Sequence, residues 1–196
     1  MVQTAARLYS ADDLLCMRDG DDFELDDGEL REVPVGAESD GVAVLLLHHL
    51  ANHIEGKAAG TLIGSSTGLQ IFPGRPRRIP RPDGGFISTA RLPGGRLPKG
   101  FLTVAPDLVI ESISPGDQMA YVNRKIREYL GAGVRVVWVL FPDTRTAEAY
   151  RADGTVTYIQ EDGALEGEDV LPGFSCPLDK IMPPADAAPA PEATGA

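Results

Sequence analysis

At 196 residues, 43% hydrophobic and 24% charged, the chain is long enough for one well-buried core and too ordinary in composition for a fibrous or disordered protein. No apolar run approaches the roughly 20 residues of a membrane span, and the start, Met1 to Arg7, lacks the apolar stretch of a secretory signal. A formal net charge of -11 argues against a protein that grips nucleic acid over its whole surface, because phosphate backbones are held through Lys and Arg.

Ser10, followed by Ala11, Asp12 and Asp13, predicts an N-cap and a short helix. Phe23 to Val33 reads as a hairpin: Phe23 and Leu25 alternate with acids, Asp27-Gly28 makes the turn, and Leu30 and Val33 lie on the return. From Ser39 to Glu55 the residues Val42, Leu45, Leu46, Leu50 and Ile54 recur at helical spacing, and Gly56 ends the run. This helix is expected across one face of a sheet. Thr61 to Phe72 reads as a strand region broken by Gly and Ser, and Arg77 to Ser88 as a second strand whose first half is made irregular by Pro80 and Pro82.

After a Gly/Pro loop at 93–100, Asp107 to Ile113 is apolar on both sides, as in a sheet interior. Ser114 to Asp117 turns into a helix from about Gln118 to Leu130, and Val134 to Phe141 is again strand-like. Strand, helix and strand make a crossover unit with parallel pairing. Thr146 to Arg151 and Thr155 to Gln160 form a hairpin around Asp153-Gly154, and Leu171 to Met182 packs back. The expectation is a mixed α/β fold in a single domain, residues 1–182, followed by an Ala/Pro-rich disordered tail, 183–196. Cys16 and Cys176, far apart and in no metal-type spacing, predict reduced thiols and a cytoplasmic protein.

Two Pro-Asp pairs carry the candidate chemistry, Pro82-Asp83 and Pro106-Asp107. Asp107 and Glu111 share a strand and a face, but four residues set them roughly 13 Å apart, too far to hold one ion. Asp83 comes from another strand and can lie beside Glu111. Asp83 and Glu111 are therefore the candidate metal ligands, with Asp107 a strand-start residue. Such hard oxygen donors suit magnesium, or manganese in its place. Glu111 interrupts the run Leu108-Val109-Ile110-Glu111-Ser112-Ile113, and a buried carboxylate needs a metal or an ion pair, for which Arg135 on the next strand is the alternative. Lys125 lies at the edge of the helix's apolar stripe of Met119, Val122, Ile126, Tyr129 and Leu130. It either snorkels to water or reaches back over the Glu111 strand.

Arg75, Arg77, Arg78 and Arg81 crowd ahead of Asp83, with Arg91, Arg96 and Lys99 after it. They form either a solvated loop face or local relief for a phosphate-binding surface. Glu24, Glu29 or Glu38 is a candidate to complete the site, with a solvated surface acid the favoured reading for each. His49 and His53, four apart on a helix, have a zinc-chelating spacing, but Leu50 stands where a zinc-protease motif needs Glu and no third ligand is evident.

Arg81-Pro82-Asp83, Pro106-Asp107-Leu108-Val109-Ile110-Glu111, Ser114-Pro115-x-Asp117 and Lys125-x-x-x-Tyr129-Leu130-x-x-Gly133-Val134 together resemble the Uma-two family of "putative restriction endonucleases", within the PD-(D/E)xK nuclease superfamily. The hairpin Phe23-Glu24-Leu25-x-Asp27-Gly28-Glu29-Leu30 and the segment Val170 to Phe174 are similar to the family's opening and closing segments, so the resemblance runs from about residue 8 to 182. It implies a restriction-endonuclease-like fold, a central mixed β-sheet flanked by helices. It also implies magnesium-dependent phosphodiester hydrolysis on DNA, with Asp83 and Glu111 on the metal and Lys125 assisting the attacking water. A homodimer is also implied. The superfamily's usual lysine position, two after the second acid, is Ile113 here. Gly84-Gly85, Tyr121 and Ser39 or Asp40 also depart from the family pattern. A catalytically weak or inactive nuclease-fold binding or scaffold protein is the competing reading, consistent with the acidic balance.

Overall fold

A computed structural model describes residues 7–33, 36–57 and 59–185. The expectations of no secretory signal at the start and of an Ala/Pro-rich tail fall mainly on 1–6 and 186–196, which lie outside the described residues.

The short helix α1 (Ala11–Cys16) begins at Ser10, whose hydroxyl accepts from the Asp13 N–H while the Asp13 carboxylate accepts from the Ser10 N–H. Each side chain thus accepts from the other residue's orphan backbone N–H, which helps so short a helix to form. Strands β1 (Phe23–Asp26) and β2 (Glu29–Glu32) follow as the expected hairpin. Asp27 and Gly28 both have positive φ, the backbone a two-residue turn requires. Helix α2 (Ala37–Ile54) buries Val42, Leu46 and Leu50, whereas Leu45, assigned to the same stripe from spacing, is exposed beside Val44.

The central sheet has six strands in the order β3 (Gly60–Gly64), β4 (Gly84–Ser88), β5 (Leu108–Ser112), β6 (Val136–Phe141), β7 (Thr146–Arg151) and β8 (Val156–Ile159). The β5–β6 pair is parallel and all other pairs are antiparallel. The parallel pair is joined by α3 (Met119–Gly131), the predicted crossover. The strand expected over 61–72 is confined to its first part. The irregular entry to β4 expected from Pro80 and Pro82 is present, with Ile79 bridging to Leu25 of β1 by two backbone hydrogen bonds. A last pair, β9 (Ala164–Glu166) with β10 (Ser175–Pro177), frames the segment that packs back.

Side-chain alternation on β5 and β6 divides the core. Leu108, Ile110, Trp138 and Leu140 face α2 and the returning segment, where Phe174 stacks on Trp138. Val109, Val137 and Val139 face α3, joined by Val122, Ile126 and Tyr129. The sheet is therefore buried on both faces at its centre, which explains why β5 reads as a continuous apolar run. Gly85 is demanded by close approach: a Cβ there would sit 2.4 Å from the Leu108 carbonyl oxygen. Among the described residues, no helix is long and apolar enough to cross a membrane.

Candidate active site

The site lies where β4 begins and β5 ends. Their antiparallel register pairs Gly84 with Ile110, so one residue outward Asp83 stands opposite Glu111. Directly opposed residues project to the same face, with Cα atoms about 5 Å apart. The Asp83 carboxylate is fixed by the Ser112 backbone N–H, which donates to it at 2.6 Å. The register thus brings the two acids to one edge of the sheet, near enough for the Asp83 charge to act on Glu111.

Lys125 comes from α3. Val122, Lys125, Ile126 and Tyr129 form its buried face, so Lys125 sits within the stripe instead of at its edge, and Met119, assigned to that stripe, is exposed. The ammonium does not snorkel. It donates to Glu111 at 2.9 Å and to Glu24 at 2.9 Å, with only 6% of the residue exposed. The Tyr129 hydroxyl donates to the other Glu111 oxygen at 2.9 Å. Both oxygens of Glu111 are therefore oriented by α3, the helix that follows its strand.

Glu24 corrects the expectation of a solvated surface acid. It is buried on β1 and accepts from Lys125, from the Arg81 N–H at 2.9 Å and from the Tyr121 hydroxyl. Alternation with Phe23 and Leu25 correctly placed Glu24 on the opposite face of the hairpin. That face is covered by α3 and not by water. The one sign available in the sequence was that this acid lies inside a segment already similar to the family's opening hairpin.

The alternative partner for Glu111, Arg135, lies elsewhere. Arg135 faces Asp107 at 3.6 Å and Asp169, while Glu111 looks to the opposite end of the strand. Asp107 accepts from the Ser88 N–H at 2.8 Å and pairs with Arg91 at 3.1 Å, a clamp between strand ends. The arginine run is not one solvated face. Arg78 is fully buried and pairs with Glu128 at 2.7 Å, and Arg75 bonds Asp27 and Glu128, each at 2.6 Å. Arg81 is buried with its guanidinium on the carbonyls of Phe23, Ser66 and Gly20. These arginines fasten the hairpin and α3 to the entry of β4. The His53 ring meets Phe174 edge-on, and His48 bonds Asn52. Among the described residues, neither His49 nor His53 joins a metal-holding group of three.

Charge is out of balance at the site. Burial pushes the Asp83 carboxyl up to about 6, against the pull of the Ser112 N–H and the Lys125 ammonium. Burial also pushes Glu111 up, to about 8. Lys125 opposes this and the neighbouring Asp83 and Glu24 charges add to it. Lys125 is held well above its usual value: burial would lower it, and its acid neighbours overcome that. Three carboxylates thus bear on one ammonium. Such a surplus of buried negative charge on hard oxygen atoms fits a divalent cation. Among the described residues no group of three or more His, Cys, Asp or Glu is placed to hold a metal ion, so any metal here would rest on fewer protein ligands. Magnesium keeps several of its waters and uses one or two carboxylates.

The fold, a mixed six-stranded sheet whose parallel pair is joined by a crossover helix, is nuclease-like, as comparison with a solved structure shows. The crystal structure of a "putative nuclease belonging to DUF820" from Anabaena variabilis ATCC 29413 superposes with a TM-score of 0.71. The match covers 88% of this chain and 97% of that one at 18% identity, a likeness of fold. The model of the Uma2 family, described as "Putative restriction endonuclease", matches residues 11–179, and the chain belongs to that family. No functionally curated protein matches the sequence.

Proposed function

We propose that this protein is a magnesium-dependent DNA endonuclease that hydrolyses phosphodiester bonds, with manganese able to replace magnesium. The observation that carries the reading is the Lys125 ammonium 2.9 Å from Glu111, at the sheet edge where Asp83 stands opposite. Asp83 and Glu111 would hold the metal. When bound, it supplies Lewis acidity toward the scissile phosphate and the attacking water. The Ser112 N–H and the Tyr129 hydroxyl orient the two acids, so little reorganisation is needed at the moment of reaction. Lys125 stays protonated, so it acts as a fixed positive charge offsetting negative charge that grows on the phosphate and orienting the water, not as a proton acceptor. Glu24 keeps that ammonium in place from the other side.

Plasmid nicking with magnesium, with and without chelator, tests this directly. The expected result is metal-dependent cutting that Asp83→Asn, Glu111→Gln and Lys125→Ala each abolish. Cutting that survives in Asp83→Asn or Glu111→Gln removes those acids from the mechanism. One observation favours a second reading, a nuclease-fold binding or scaffold protein of little activity. Both oxygens of Glu111 already accept hydrogen bonds from protein groups, so the pair can act as a closed structural unit. An inert wild type with no magnesium binding would establish that alternative. Family membership also supports a homodimer, which sedimentation would test.

A further inference from the structure

Four cations surround the ring of Tyr121, and three of them are neutralised by acids. Arg78 pairs with Glu128 at 2.7 Å, Arg124 with Asp26, and Lys125 with Glu24 and Glu111. The fourth is Arg31, which lies closest to the ring, its guanidinium carbon 3.8 Å from the centroid. No carboxylate pairs with it among the described residues. Its side-chain bond goes to the neutral Gln118 oxygen at 3.0 Å. A guanidinium has five N–H donors, so most of its capacity is left open at a partly exposed position.

Its location gives this vacancy in the charge balance a meaning. The β1–β2 register pairs Arg31 with Glu24, so both side chains leave the same face of the hairpin. Glu24 reaches inward to Lys125 and thereby to Glu111. Arg31 lies over the Tyr121 ring, whose hydroxyl is itself bonded to Glu24. A nucleic acid approaching the acidic site must be met by cations, and three of the four arginines crowded ahead of Asp83 are engaged internally: Arg75, Arg78 and Arg81 are tied to acids and carbonyls, while Arg77 is exposed. Contact with the Tyr121 ring restrains the Arg31 guanidinium in advance, which reduces the entropy lost when it grips a phosphate. Gln118 brings a second side chain of a type that contacts phosphate oxygens.

We propose that Arg31, backed by Tyr121 and assisted by Gln118, is a phosphate-binding site that seats the nucleic-acid backbone beside the Glu24–Lys125–Glu111 cluster. This deepens the nuclease reading and rests on it for the identity of the polyanion. Arg31 is a positioning residue: it touches the backbone and not the reacting atoms.

Binding of a fluorescently labelled DNA duplex to the Glu111→Gln protein in magnesium, titrated across salt concentration, tests the site apart from cleavage. Arg31→Ala is expected to weaken binding about tenfold and to reduce the slope of log affinity against log salt by about 0.9, the loss of one phosphate contact. Arg31→Lys should restore the slope but only part of the affinity, because an ammonium lacks the planar fork. Arg124→Ala, whose charge already serves Asp26, should have a smaller effect. In the otherwise wild-type protein, Arg31→Ala should raise KM and leave kcat within about twofold. Unchanged affinity and slope in Arg31→Ala overturn the proposal, and so does a fall in melting temperature without a change in binding, which would make Arg31 a structural residue. DNA bound through Arg31 but never cut by the wild type would sink the nuclease reading and keep this one. DNA neither bound nor cut removes both.

Discussion

Asp107 and Glu111 stand four residues apart on β5, and both are buried, at 3% and 6% exposure. Their surroundings differ in kind. Asp107 receives a backbone N–H and faces two arginines, Arg91 and Arg135, neither of which serves a carboxylate in the other cluster. Glu111 shares a single ammonium with Glu24 and lies beside Asp83. Equal burial with unequal compensation separates a structural clamp from a site with room for more positive charge. Burial of an acid by itself indicates neither; the count of opposing charges around it does.

The largest effects should come from breaking the Glu111 end. Asp83→Asn and Glu111→Gln are each expected to lower plasmid cleavage on the order of 10^3-fold. Asp107→Asn should leave the rate per folded molecule close to wild type. A comparable rate loss in Asp107→Asn would erase the distinction between the two ends.

Stability should respond in the reverse sense. Asp107→Asn leaves the partly exposed Arg91 and Arg135 without their anion and should cost about 2 kcal/mol in urea unfolding. Glu111→Gln, measured without metal at pH 8, should leave stability unchanged or raised, since it removes surplus charge while Glu24 still serves Lys125. Equal losses in the two variants would mean that Lys125 fully compensates Glu111.

The pH dependence sharpens the same contrast. Asp83 and Glu111 are raised from ordinary values of 3.8 and 4.5 to about 6 and about 8. In that window the native protein binds more protons than the unfolded chain, so these groups make stability fall as pH rises from about 4 to about 8. Glu24 and Glu128 are lowered, so their contribution has the opposite sign but is gained at or below their ordinary 4.5. Metal-free unfolding across pH 5 to 8 should therefore show declining stability, and magnesium should raise Tm more at pH 8 than at pH 5. A flat profile would show that the site carries no surplus charge. The smallest effect should come from Tyr129→Phe, which removes one hydrogen bond to Glu111 and should cost about 1 kcal/mol. A change of several kcal/mol would make Tyr129 a main support of the cluster.

Much of the fold was legible in the chain. The Ser10 cap, the Asp27-Gly28 turn, the apolar run of β5 and the crossover through α3 all follow from local spacing and turn chemistry. Asp83 and Glu111 could be placed together because strand pairing constrains where a residue at a strand's start can lie. Glu24 could not be read, because its alternation told which side of the hairpin it occupied but not what covered that side. Leu45 and Met119 failed for a related reason: helical spacing marks an apolar stripe but does not say how wide a stripe the neighbouring sheet will cover.

The sequence by itself determined the order and kind of the elements and the presence of two acids and a lysine in a nuclease-like succession. These depend on interactions within a few residues and on a pattern spanning most of the chain. Only the tertiary structure decided which charge meets which. Lys125 chose Glu24, 101 residues away, as well as Glu111, and Arg135 went to Asp107. Electrostatic pairing acts through space, so it is settled by how the hairpin docks on α3, a contact that no local pattern encodes.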